Sequence, residues 1–190
     1  MIIPKNRCTE NIKNKIDRTN GLIALCQKII KKNMIGVEIG SFAGISSEVF
    51  ALFAKKIICI DGWDMSVEKG GYLEVKKSGL LIAESKFDKI KSKYENIVKI
   101  KNLSVHACND FESKSLDFVY IDGNHTYDFV MQDIKIWKPK IKENGFLLGH
   151  DYILKSVSKA LNDSKIPVLK IFDDSSWVAK ISNKKNPIYI

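Results

Sequence analysis

Arginine is nearly absent. Of the 31 basic residues in this chain of 190, only Arg7 and Arg18 are not lysine. Planar, bidentate recognition of phosphates and bases favours arginine, so the formal charge of +9 reads as a solvated lysine surface, not a nucleic-acid footprint. The lysines are spread along the chain, with short clusters at Lys31-Lys32, Lys76-Lys77 and Lys184-Lys185. Cysteine is sparse as well. Cys8, Cys26, Cys59 and Cys108 contain no C-x-x-C pair, which argues for reduced structural thiols over zinc ligation or a disulfide framework. No apolar run approaches the ~20 residues needed to cross a bilayer. The opening residues, Met1 to Arg7, lack the apolar core of a signal peptide, so cytoplasmic residence without a membrane partner is expected. The chain also has no G-x-G-x-x-G, the turn that cradles a dinucleotide pyrophosphate.

What is present is organised around Met34 to Ser47. A short apolar run, Met34 to Ile39, is interrupted by Gly36 and Glu38 and leads into the turn Gly40-Ser41-Phe42-Ala43-Gly44. Val49, Phe50, Leu52 and Phe53 then carry a helical pattern for which Ser46 or Ser47 is the expected N-cap. Strand, glycine turn and helix make the first unit of a doubly wound α/β sheet, whose ligands sit at the carboxyl ends of the strands. A carboxylate at Glu38 beside such a ligand repels phosphate and suits a cationic or hydroxyl-bearing one. About twenty residues on, Ile57 to Asp61 is a second apolar strand closing on an acid, a position that commonly holds ribose hydroxyls.

The rest of the chain alternates in the same way. Hydrophobic content of 45% and charged content of 28% are those of a globular protein, and the length fits one domain: a helical extension over 1–33 and a core over 34–190. Residues 8–32 read as one helix with a break at Asn20-Gly21, and its expected role is packing. A long loop from Gly62 to Tyr72 is a candidate lid. Residues 80–94 follow as a helix, and Asn96 to Lys101 as a third strand. Leu116 to Asp122 is a fourth strand, succeeded by a helix to Trp137 that Pro139 stops. Asn144-Gly145 punctuates before Phe146 to Asp151, the fifth strand. A helix over 153–163 precedes two strands, Val168 to Phe172 and Trp177 to Ile181, joined by a turn. The expected fold is a Rossmann-like, seven-stranded sheet, parallel but for an antiparallel strand in the terminal hairpin, with helices on both faces. Trp63, Trp137 and Trp177 read as core or lid. Asp117, Asp128 and Asp133 read as strand-edge or helix-surface acids, and His106 as a surface residue.

Glu38-x-Gly40-x-x-x-Gly44 after the first strand and Asp61 closing the second resemble the class I S-adenosylmethionine-dependent methyltransferases. Ile121-Asp-Gly-Asn-His-Thr-Tyr127, with Gly149-His-Asp151 after the fifth strand, resembles the subfamily carrying I-D-G-x-H-x-Y, which includes O-methyltransferases of sugars and natural products. The resemblance spans about residues 34–180 and implies S-adenosyl-L-methionine as cofactor. It implies a binding set of Glu38, Gly40, Ser41, Gly44, Asp61, Gly62, Ser104 and Asp122, and a small-molecule or glycan acceptor. A hydroxyl is a poor nucleophile until a base or a divalent cation acts on it. Metal-dependent relatives place acids at Asp122 and Asp151, which makes these two, with His150, the expected ligands of Mg²⁺ or Mn²⁺. This chain has His150 where a further acid would strengthen that set, and imidazole is a poor Mg²⁺ ligand. His125 is therefore the expected general base, with Asp122 catalytic beside it or orienting it. An RNA methyltransferase is the alternative that the charge suggests, although Asp122-Gly-Asn-His stands where nucleic-acid amino-methylating enzymes carry N/D-P-P-Y/F. A non-catalytic binding module is the other. The sequence leaves open whether the chain forms a homo-oligomer.

Overall fold

A computed structural model describes residues 9–63 and 77–182. The chain runs α1 (Thr9–Ile29), β1 (Ile35–Ile39), α2 (Ile45–Phe53), β2 (Lys56–Asp61), α3 (Lys77–Lys91), β3 (Ile97–Lys101), α4 (Ser104–Ala107) and β4 (Leu116–Ile121). It continues through α5 (Tyr127–Trp137), β5 (Ile141–Gly149), α6 (Lys155–Asp163), β6 (Val168–Ile171) and β7 (Trp177–Lys180). One seven-stranded sheet has the order β3-β2-β1-β4-β5-β7-β6. The pairs from β3 to β5 are parallel, and β7 runs antiparallel to both β5 and β6. The strand order reverses between β1 and β4, so the carboxyl ends of these two strands flank the crevice where this topology binds ligands.

Two apolar cores cover the sheet. On one face α1, α2 and α3 bury Leu25, Phe50 and Phe87 against Ile57, Phe118 and Tyr120. On the other, α5 and α6 bury Ile134, Trp137 and Leu161 against Val37, Val119 and Leu147. Gly36 is needed for packing, because a Cβ there would lie 2.1 Å from the Phe118 ring. Trp63, Trp137 and Trp177 are all buried, as are Cys26, Cys59 and Cys108, which are free thiols. No helix among the described residues is long and apolar enough to cross a membrane.

Three local expectations are corrected. Ser46 and Ser47 do not cap α2: they lie in its first turn, and Gly44 holds the cap position at φ 80°. The hydroxyls of both serines instead donate to the Glu38 carboxylate beneath the helix. Asn20-Gly21 does not break α1, which runs through it. There the Leu22 amide donates to Asp174 at 2.6 Å, and Gly21 leaves room for that carboxylate. Asn144-Gly145 does not precede β5 but lies inside it. Asn144 adopts φ 64°, and the register with β4 shifts nearby, so the turn signal marks an irregularity within one strand. The lid expected over Gly62 to Tyr72 falls, beyond Trp63, outside the described residues.

Candidate active site

Four neighbouring strands end on one edge, and backbone hydrogen bonds continue the ladder past them. Gly40 N–H donates to Ile60 at 2.8 Å, Asp122 to Ile39 at 2.9 Å and His150 to Ile121 at 3.2 Å. This stitching brings Gly40, Asp61, Asp122 and Asp151 to a single rim from stretches more than a hundred residues apart. Gly40 is required by the closeness of that approach. Its φ is +87°, and a Cβ would sit 2.3 Å from the Asp122 carbonyl oxygen and 2.5 Å from Gly123 Cα. Gly44, at φ +80°, passes within contact of Phe87 and Ile90 of α3.

Around the glycine turn the site residues divide into those that face the rim and those that support it. Asp61 faces it. One carboxylate oxygen accepts the Phe42 amide at 2.8 Å and the other the Trp63 amide at 2.7 Å, which leaves each oxygen further acceptor capacity. Burial raises the Asp61 pKa, and the two amides oppose the shift. Gly62 links Asp61 to Trp63, whose indole N–H donates to the Phe42 carbonyl at 2.9 Å and closes the clamp. Glu38 supports the turn from within. It is fully buried, its oxygens are taken by Ser46 and Ser47, and burial raises its pKa. The acid anchors the start of α2 to β1 and so shapes the turn from behind. Ser41 is buried next to it.

Ser104 is likewise turned inward. Its hydroxyl donates to Asp133 and accepts the Trp137 indole N–H at 2.7 Å. Asp133 is therefore not a helix-surface acid but 5% exposed. It lies between Val130 and Trp137 at helical spacing, on the face of α5 that packs against the sheet. Burial raises its pKa to about 6, against the lowering effect of the Ser104 hydrogen bond. The folded state holds this proton more tightly than the unfolded chain does. Its ionisation therefore removes stability as pH rises from the ordinary carboxylate value through about 6, and the loss is then constant. Wild-type stability is expected to fall between about pH 4 and about pH 7 by about 2 kcal/mol more than that of Asp133→Asn. Urea denaturation of both proteins at the two pH values measures this, and equal falls would refute it.

The acids at the ends of β4 and β5 meet two imidazoles. His125 Nε2 lies 3.3 Å from Asp122 Oδ1 and 3.0 Å from Asp151 Oδ2. His150 Nδ1 lies 3.3 Å from Asp151 Oδ1 and 3.8 Å from Asp122 Oδ1. Asp151 reaches both rings because its backbone adopts φ 55°, a left-handed conformation that Asp tolerates better than most residues. The Trp177 indole N–H fixes the His150 carbonyl at 3.0 Å. Burial pulls the pKa of each histidine down, but the facing carboxylates outweigh it and raise both to about 9. The hydrogen bonds from His125 and His150 hold Asp151 well below the usual carboxylate range. Burial raises the Asp122 pKa against the same imidazoles. The carboxylates that flank each ring thus favour its protonated form. Asp122, His125 and Asp151 each offer a ligand atom, and these atoms all lie within 4.8 Å of one another. That grouping differs from the expected metal set by having His125 in the place of His150. His106 is exposed.

Sequence comparison matches residues 37–152 to a family described as "Methyltransferase domain". An uncharacterised protein, y4gI of Sinorhizobium fredii, is 25% identical over 125 residues, which make up 60% of this chain and 13% of that protein. The chain therefore spans only a small part of the curated relative it matches. Among solved structures, the O-methyltransferase NovP superposes with a TM-score of 0.62 at 12% identity, over 91% of this chain and 80% of that one. A putative methyltransferase from Streptococcus mutans, SMU.1697c, solved with SAH, gives 0.57 at 12% identity over 84% and 96% of the two chains. At these identities the likeness is one of fold.

Proposed function

The chain belongs to the methyltransferase-domain family, and from that premise we propose that it is an S-adenosylmethionine-dependent O-methyltransferase acting on a hydroxyl of a sugar, glycan or small natural product. The observation that carries this reading is the meeting of Asp122, His125 and Asp151 on the same strand-end rim as Gly40 and Asp61. Such an arrangement sets a proton-handling, cation-attracting cluster next to a turn and an acid suited to a nucleoside.

The residues present fit S-adenosylmethionine. Asp61 is held by two backbone amides with acceptor capacity to spare for ribose hydroxyls, and Gly40 keeps the β1 end pressed against Asp122 and Gly123. The cofactor, when bound, supplies a methyl group on a sulfonium. The chain must position the acceptor oxygen in line with that methyl and take its proton as the new O–C bond forms. Two carboxylates and an imidazole also fit a divalent ion, and this donor set suits Mn²⁺ or Fe²⁺ better than Mg²⁺. Asp122, His125 and Asp151 would hold it, and such an ion lowers the pKa of a bound hydroxyl. The charge balance favours this version over His125 as sole base. Two imidazoliums now neutralise two carboxylates, and a divalent cation can do the same while freeing a ring to take up a proton.

Calorimetry tests the cofactor. S-adenosylhomocysteine is expected to bind and NAD is not, and Asp61→Ala should weaken S-adenosylhomocysteine by ~1.5–3 kcal/mol, the worth of hydrogen bonds to a charged group. Binding of NAD alone would overturn the reading.

A further inference from the structure

The amino edge of the sheet, opposite the candidate site, gathers lysines that are scattered in the sequence. Lys31 and Lys32 precede β1, Lys55 and Lys56 enter β2, Lys91 ends α3, and Lys93 lies between α3 and β3. All six are exposed. The turns that carry them are tied together. Lys55 N–H donates to Met34 at 2.9 Å and Ile57 N–H to Asn96 at 3.0 Å. The Asn96 side-chain amide donates to Ala51 at 2.9 Å and Ala54 at 3.1 Å, and the Lys32 ammonium donates to the Leu52 carbonyl. Glu95 is the exposed acid among these turns, and none of the six lysines has an ion-pair partner among the described residues. Leu52, 53% exposed, stands among them.

We infer that this half of the amino edge docks the protein on an anionic phospholipid surface. The face consists of short turns at the ends of the adjacent strands β1, β2 and β3. It carries lysine without arginine, and its two aromatic side chains, Phe53 and Tyr94, are packed against the core. Nucleic-acid recognition draws on bidentate arginine and aromatic stacking, whereas a lipid headgroup layer responds to the number of cations near it and to an apolar side chain such as Leu52. The opposite rim carries Asp61 and Asp174, and its Asp122 and Asp151 are balanced by His125 and His150, so an anionic surface is drawn to the amino edge instead. The two edges therefore orient the molecule with its candidate site facing away from the lipid.

Co-sedimentation of the full chain with phosphatidylcholine vesicles, with and without phosphatidylglycerol, tests this. Binding is expected only to the phosphatidylglycerol vesicles, and it should disappear at high salt. The triple variant Lys31→Gln, Lys55→Gln, Lys56→Gln should weaken partitioning by about 100-fold. The triple variant Lys135→Gln, Lys155→Gln, Lys170→Gln makes the same charge change on α5, α6 and β6, and should weaken it by less than about 10-fold. Matching thermal melts of the two variants establish that both are folded. The proposal is overturned if the wild type ignores phosphatidylglycerol or if the two variants lose binding equally. It is also overturned if a single-stranded RNA oligonucleotide binds more tightly than the vesicles and the first variant abolishes that binding.

Discussion

Replacing Asp151 with Asn lowers methyl transfer by about 10²–10⁴-fold, the scale of general acid–base catalysis, and leaves S-adenosylhomocysteine affinity nearly unchanged. Asn suits the left-handed backbone at φ 55°, so the variant keeps its fold and loses only charge. That charge faces His125 at 3.0 Å and His150 at 3.3 Å, whereas Asp61 closes β2 and the glycine turn follows β1, neither of which is next to β5 in the sheet. A second measurement separates the two versions of the chemistry. If Asp122, His125 and Asp151 hold a divalent ion, a chelator abolishes turnover of the wild type, and Mn²⁺ measured by calorimetry binds the wild type but not Asp151→Asn. Ion affinity should then climb with pH up to about 9, because a ligating imidazole must first shed the proton that its carboxylate neighbours hold to that value. If His125 takes the acceptor proton unaided, a chelator leaves turnover intact and His125→Ala alone gives the loss. Full activity in both Asp151→Asn and His125→Ala would remove the cluster from the reaction altogether.

The largest effect on folding is expected from Gly40→Ala. Its Cβ would lie 2.3 Å from a backbone carbonyl oxygen and 2.5 Å from a backbone carbon, at a φ of +87°. Neither neighbour can rotate away as a side chain would, since both belong to the Asp122-Gly123 turn that closes β4. Overpacking together with the left-handed penalty amounts to about 3–5 kcal/mol, measured as a shift in the urea midpoint at unchanged slope. Gly123→Ala is the informative contrast. The first atom its Cβ would meet is 3.5 Å away, so that change should cost less than about 1 kcal/mol. Equal losses at the two positions would mean that the contact between the β1 and β4 ends is not what demands glycine at Gly40.

The elements were legible in the sequence for a local reason. Period-two apolar runs and period-3.6 faces report burial directly, so the described strands and main helices fall on the runs that the pattern marked, although β5 begins at Ile141, ahead of the expected Phe146. The acids that close β2, β4 and β5 were legible too, because a polar residue ending an apolar run marks the strand's exit onto the rim. Asp133 was legible in principle: it shares the spacing of Val130, Ile134 and Trp137, and a carboxylate on an apolar stripe must find an internal donor. What the pattern does not report is which way a polar side chain turns at an element's end. Glu38 and Ser104 occupy positions that the methyltransferase resemblance assigns to the cofactor, yet their side chains are satisfied internally by Ser46, Ser47 and Asp133.

By itself, then, the sequence determined the order and type of the elements and the identity of the acids at the strand ends, since both follow from residues within a few positions of one another. Only the tertiary structure decided the rest. It set His125 between two carboxylates, which raise its pKa. It required Gly40 because another strand's backbone presses on it, and it gathered six lysines from three separate turns onto one edge. Each of these depends on groups far apart in the chain, and interactions of charge and close contact act through distance in space.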